Sequence, residues 1–170
     1  MVESDTIKLL RECDAGVKMG ISSLDESMKY VSDSRLKTTL EKSMKENEKI
    51  CILDADLSKP NGTSPLYKEF PNRCFNVGIA EANMIGVAAG LAACGKTPVA
   101  ASFAMFATGR AFEQIRNSVA YPELNVKIAG SHAGISTGED GATHQCLEDI
   151  GIMRTLPGMT ILNPADHYEM

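Results

Sequence analysis

The sequence predicts an α/β domain with a mainly parallel sheet and helices on both faces, preceded by a short helical segment. Three observations carry this. Short apolar runs alternate with longer helical stretches from Ile50 onward, and such alternation implies right-handed strand-helix-strand units with both sheet faces covered. Polar and glycine-rich segments fall just after the predicted strands, where ligands bind in sheets of this kind. The first 48 residues follow a different grammar, charged and lysine-rich, with apolar positions at helical spacing.

Taken in order, residues 1–48 read as two or three short amphipathic helices forming a helical N-terminal segment, and 49–170 as the sheet domain. Leu24, Met28 and Val31 form one apolar stripe, and Leu36, Leu40 and Met44 a second. Ser22-Ser23-Leu24-Asp25-Glu26 offers a capping box, and Ser32-Asp33-Ser34 reads as a break between helices. Strands are expected at Ile50 to Leu53, Cys74 to Val77, Val99 to Ala101, Val126 to Ala129 and Met159 to Leu162. A helix from about Ile79 to Ala93 is apolar almost all round, which predicts deep burial. The stretch Arg110 to Ala120 keeps Glu113, Gln114, Arg116 and Asn117 for a wetter face.

Composition narrows the function classes. A chain of 170 residues with 44% hydrophobic content can build one core. The net charge of -5, with no basic patch interleaved with aromatics, argues against nucleic acid as a partner. Five cysteines without a C-x-x-C pair suit free thiols in a reducing cytosol. The N-terminus lacks a signal-peptide pattern and no apolar run reaches a membrane span, so a cytoplasmic protein is expected.

Glu81 is the first candidate for chemistry. Between Cys74 and Gly109 the only formally charged residues are Glu81 and Lys96. A carboxylate among Ala, Gly, Ile, Val and Leu should either reach solvent or hold a proton for some purpose, although Glu in a first helical turn also opposes the helix dipole. Phe103 and Phe106 lie in a small-residue segment after a strand and are core or stacking residues. Asp56 is either a turn former or a site residue. The loop from Ser131 to Gln145 carries His132, Asp140 and His144. Histidine titrates near working pH, and the spacing with no fourth good ligand argues against a metal site. Gly90 to Thr97 satisfies the phosphate-loop pattern G-x-x-x-x-G-K-[ST], yet a helix precedes it and a strand follows, so Gly95 reads as a helix C-cap.

Five ordered elements then resemble the transketolase pyrimidine-binding domain. They are Gly78 to Ala82, Ser102-Phe103-Ala104-Met105-Phe106, His132 to Gln145, Arg154-Thr155-Leu156-Pro157 and Pro164-Ala165-Asp166. The likeness is greatest to the separate C-terminal subunit of two-subunit transketolases. It implies a thiamine diphosphate-binding fold of the pyrimidine-domain type, with Glu81 hydrogen-bonding the aminopyrimidine. It further implies Phe103, Phe106 and Asp56 at the cofactor, His132 and Asp140 binding sugar phosphate substrate, and His144 handling protons. The family's Gly-Asp-Gly, which marks the diphosphate side, does not occur here. The resemblance therefore implies a partner subunit that holds the diphosphate through Mg2+ or Ca2+, in a dimer or heterotetramer active in ketol transfer. The other readings are a truncated, non-catalytic assembly module and a deoxyxylulose-phosphate synthase-like enzyme.

Overall fold

A computed structural model of the chain describes residues 35–135 and 137–165. The capping box at Ser22, the first apolar stripe, Cys13, Asp166 and His167 lie outside the described residues. Helix α1 (Arg35–Glu46) leads into strand β1 (Ile50–Asp54), helix α2 (Ser64–Glu69), strand β2 (Cys74–Asn76), helix α3 (Glu81–Ala93) and strand β3 (Thr97–Phe103). A helical stretch over 105–120, here α4, follows. Its ends, Met105–Arg110 and Ile115–Ala120, are π-helical, with the α-helical turn Phe112–Gln114 between them. Strand β4 (Lys127–Ser131) and the short helix α5 (Asp149–Met153) complete the order.

Among the described residues the sheet has the order β2-β1-β3-β4, and each pairing is parallel. The chain moves from β1 outward to β2, then crosses back over β1 to β3. That reversal makes the carboxyl ends of β1 and β3 a topological switch point, where a crevice opens beyond the sheet. Because successive strand residues face opposite sides, β1 divides the core. Leu53 joins Met84, Ile85, Ala88, Ala100 and Ile115 on one face. Ile52 joins Met44, Leu66 and Cys74 on the other. Met44 is fully buried there and Leu40 packs against the same cluster, so these two positions of the second apolar stripe cover that face.

Two expectations are corrected. Helix α3 begins at Glu81, and it is not deeply buried all round. Met84, Ile85, Ala88 and Ala89 are buried, whereas Val87 is 38% exposed, and Ile79, just ahead of the helix, is 76% exposed. A helix laid on one sheet offers it a single stripe, whatever the composition of its outer side. Met159 to Leu162 is not a strand. Met159 and Ile161 pack on the first core cluster while Leu162 is 84% exposed. Alternate side chains thus anchor this extended segment without a backbone ladder.

The phosphate-loop pattern is a helix end. Cys94 follows the last turn of α3, and Gly95, at φ +81°, lets its own N–H reach the Ala92 carbonyl and that of Lys96 reach Leu91, at 2.9 and 3.0 Å. β3 starts two residues later, so no helix N-terminus faces this loop.

Candidate active site at the sheet switch point

Glu81 is the first residue of α3 and only 2% exposed. It neither reaches solvent nor stands alone. Arg110, at the end of the first π-helical segment, donates from one guanidinium nitrogen to both carboxylate oxygens, at 2.9 and 3.1 Å. The Arg110 side chain is itself 49% exposed. Its guanidinium carbon lies 4.3 Å from the centre of the Phe106 ring, a cation-π contact. Arg110 therefore ties the carboxylate to the aromatic wall. The sequence carried one signal of this, since the charge-poor stretch flanking Glu81 ends at Gly109, immediately before Arg110. A Cβ at Gly109 would meet the Met105 side chain at 2.5 Å, so that position is filled by its neighbour.

The aromatic wall gathers residues from β3, α4 and the following loop. The rings of Phe103 and Phe106 are 6.1 Å apart and near parallel. His132 leans on Phe103 at 4.5 Å, and His144 meets Phe106 edge-on at 5.1 Å. The loop bearing the histidines is closed at its base by Gly134 and Cys146, which exchange backbone hydrogen bonds of 2.6 and 3.1 Å. Cys146 is fully buried beneath it. Gly130 lets β4 run close to α4, because a Cβ there would lie 3.2 Å from the Ala104 Cα.

His132 adopts φ +133°, a conformation uncommon for a residue with a side chain. Burial pushes its pKa below the ordinary histidine value, while the negative charge of Asp140 acts in the opposite direction. Asp140 lies on the exposed turn Gly138–Asp140. His144 pairs through Nδ1 with its neighbour Thr143 at 2.9 Å.

Asp56 is placed differently. It is exposed, at φ +63°, and it exchanges two hydrogen bonds with the Asn76 side chain. Asn76 also accepts from the Gly78 N–H at 2.9 Å, so this clamp shapes the turn that leads into Glu81. The buried acid of the pair is Asp54, fully enclosed at the carboxyl end of β1. It accepts from the Leu57 N–H at 2.6 Å and from Asn61 and Thr63 at 3.4 Å. Burial raises its pKa and these hydrogen bonds oppose the rise. Sequence reading did not single out Asn61, Ser131 or Arg110 as site residues, because Arg110 acts on Glu81 29 residues away and Asn61 and Ser131 meet across 70 residues.

A parallel sheet with a buried carboxylate, an aromatic wall and two imidazoles at its switch point defines a ligand-binding α/β domain. The chain belongs to the transketolase, pyrimidine binding domain family, whose description matches residues 33–170. It is 60% identical over 124 residues to the putative transketolase C-terminal section of Methanocaldococcus jannaschii, covering 73% of this chain and 39% of that protein. It is 45% identical over 141 residues to the 6-deoxy-6-sulfo-D-fructose transketolase subunit SqwH of a Clostridium species, covering 83% of this chain and 44% of that one. Among solved structures, a split gene transketolase described as an inactive beta4 tetramer superposes with a TM-score of 0.67 at 55% identity, over 78% of this chain and 42% of that chain. The chain thus spans less than half the length of these relatives. The family implies thiamine diphosphate as cofactor.

Proposed function

We propose that this chain supplies the pyrimidine side of a thiamine diphosphate-dependent transketolase, which transfers a two-carbon ketol unit between sugar phosphates. The observation that carries the reading is Glu81, a carboxylate buried at a helix start and tied by Arg110 to the face of Phe106. A flat aminopyrimidine needs an apolar face to stack on and a carboxyl group at its ring nitrogen, and this corner offers both. When bound, the cofactor supplies the carbanion chemistry that carbon-carbon cleavage beside a ketone requires.

The residues of the chain divide the remaining work. Phe103 and Phe106 give the stacking wall. Glu81 presents its carboxyl group to the pyrimidine ring nitrogen, and Arg110 fixes where that carboxyl points. Asp56 acts through Asn76 on the turn before Glu81. His132, Asp140 and His144 bind sugar hydroxyls and move protons at the mouth, where burial favours the neutral, proton-accepting imidazole of His132. As a domain, residues 49–170 hold these groups while helix α1 before them packs Met44 and Leu40 on one sheet face.

A partner subunit belongs to this reading, and so does cytoplasmic location. The sequence has no Gly-Asp-Gly for a diphosphate-bound Mg2+ or Ca2+, and the apolar Val87 on α3 and Ile79 just ahead of it are exposed. The assembly is then a dimer or heterotetramer with the diphosphate-binding subunit.

The test is calorimetry and ketol transfer on the chain mixed with a complementary diphosphate-domain subunit, Mg2+ and thiamine diphosphate. Cofactor binding with ketol transfer that disappears in Glu81→Ala is the expected result. A folded chain that gives neither complex nor binding would favour a non-catalytic module. Condensation of pyruvate with glyceraldehyde phosphate in place of ketol exchange would favour the deoxyxylulose-phosphate synthase reading.

A further inference from the structure

Three side chains join loops that the sheet by itself leaves apart. β1 and β4 each pair with β3 and are not neighbours in the sheet. The ladders end at Asp54 beside Ala101 and at Phe103 beside Ser131, so beyond those pairs the spacing of the turn after β1 and the loop after β4 is set by side chains.

The turn after β1 is wrapped on the Asp54 carboxylate. Leu57 donates its N–H to Oδ1 at 2.6 Å, and the Nδ2 of Asn61 and the hydroxyl of Thr63 lie 3.4 Å from Oδ2. Asp54 is fully enclosed and Asn61 is 5% exposed, so these groups depend on one another and not on bulk water. At its other end Asn61 accepts through Oδ1 from the Ser131 hydroxyl at 2.5 Å, 70 residues along the chain. The amide fits only one way round. A carboxylate accepts and does not donate, so Nδ2 faces Asp54 and Oδ1 is left for the hydroxyl. The line passes over β3, whose Ser102 carbonyl oxygen is 3.5 Å from the same hydroxyl.

We propose that Asn61 is a positioning residue, the middle of a clasp from Asp54 to Ser131 that holds the two loops at a fixed distance across the carboxyl end of β3. The loop on the far side starts at Ser131 and carries His132, Asp140 and His144, so the clasp sets the opening of the crevice on that side. That this opening admits a sugar phosphate rests on the transketolase reading; the clasp does not. The cofactor corner is held separately, Glu81 by Arg110 and Asp56 by Asn76. Loosening the clasp should therefore weaken ketose binding and spare cofactor binding.

An exchange of partners tests the clasp on the full chain alone, by urea unfolding at neutral pH. Asn61→Asp sets two carboxylates against each other in a closed site. Asp54→Asn, whose oxygen is kept by the Leu57 N–H, sets two amide NH2 groups against each other. Made together, the two changes restore the line, since the amide now at 54 donates to the carboxylate now at 61, which still accepts from Ser131. Each single change should lower the urea midpoint, and the pair should lie above both. A pair that is no more stable than the weaker single variant, or that does not fold, would overturn the clasp. In the assembled enzyme Asn61→Ala, which adds no charge, should raise the KM for ketose about tenfold, equivalent to ~1.4 kcal/mol, while kcat and the calorimetric affinity for thiamine diphosphate stay within about twofold. The exchanged pair should bring KM back toward that of the unmodified chain. An unaltered KM in Asn61→Ala, or a cofactor affinity that falls along with it, would overturn the positioning role. Absence of ketol transfer by the unmodified chain with its partner would count against the transketolase reading alone, since the exchange is read on the chain by itself.

Discussion

The two corners of the site are held in place by different means. Glu81 and Arg110 sit on α3 and α4, elements packed on the sheet, and the carboxylate is buried with its cation beside it. His132 and His144 sit at the edge of a loop, closed by one backbone bridge and braced by aromatic rings. The first corner joins the scaffold and the reacting group in the same side chains. The second separates them, because the bridge at Gly134 and Cys146 holds the loop whichever residues stand at its rim. Charge buried in the scaffold cannot be altered without disturbing the fold, whereas rim imidazoles are open to replacement.

Four measurements would break or sharpen that contrast. The largest effect belongs to Glu81→Ala, which should lower ketol transfer in the assembled enzyme by roughly 10²–10⁴-fold, the range for losing an acid/base group. Retention of more than a tenth of the activity would detach Glu81 from the chemistry. Next is Arg110→Ala, which leaves Glu81 buried without its cation. Given that Arg110 is half exposed and water can enter, a loss of about 2 kcal/mol is expected in urea unfolding. A change under ~0.5 kcal/mol, the size of an ordinary surface substitution, would mean that the first corner is no more structural than the second.

His144→Ala should do the reverse. Its stability should stay within ~0.5 kcal/mol of the unmodified chain while ketol transfer falls, because it touches ring edges and a neighbouring threonine. Strong destabilisation would show that the loop depends on its rim.

The smallest effect is in the pH dependence of stability, where the scaffold and the loop have opposite signs. Asp54 has a raised pKa in the fold, mainly by desolvation, so it stabilises fully below the ordinary aspartate value and this is lost as pH rises through its folded pKa. His132 has a lowered one, again mainly by desolvation. The unfolded chain therefore binds its proton first, and stability falls as pH drops below the ordinary histidine value toward the folded pKa. Urea midpoints measured across the acid range should fall as pH rises through the lower window, then rise approaching the histidine value. Asp54→Asn should flatten the first slope and His132→Gln the second. A His132→Gln chain that keeps the upper slope would assign it to another group.

Much of this was legible in the chain. Strands β1 to β4, helix α3, the second half of α4 and the loop with His132, Asp140 and His144 were marked by local runs of residue type, and local runs are what a backbone reads first. The grouping of Phe103, Phe106 and His132 followed from their places at or just past strand ends, which a parallel sheet brings to one edge. Met159 to Leu162 misled because an apolar run reports burial and not a ladder partner. Helix α3 misled because composition does not say how many neighbours cover a helix.

What the sequence determined by itself is the order of elements and the family, carried by runs and motifs local in the chain. Tertiary structure decided who pairs with whom. Glu81 and Arg110 are 29 residues apart, and Asn61 and Ser131 are 70 apart. No pattern of spacing encodes such pairs, since they exist only once β1, β3 and β4 lie side by side. The physical reason is burial: a carboxylate or hydroxyl removed from water takes the partner that folding brings within about 3 Å, and that partner is chosen by topology.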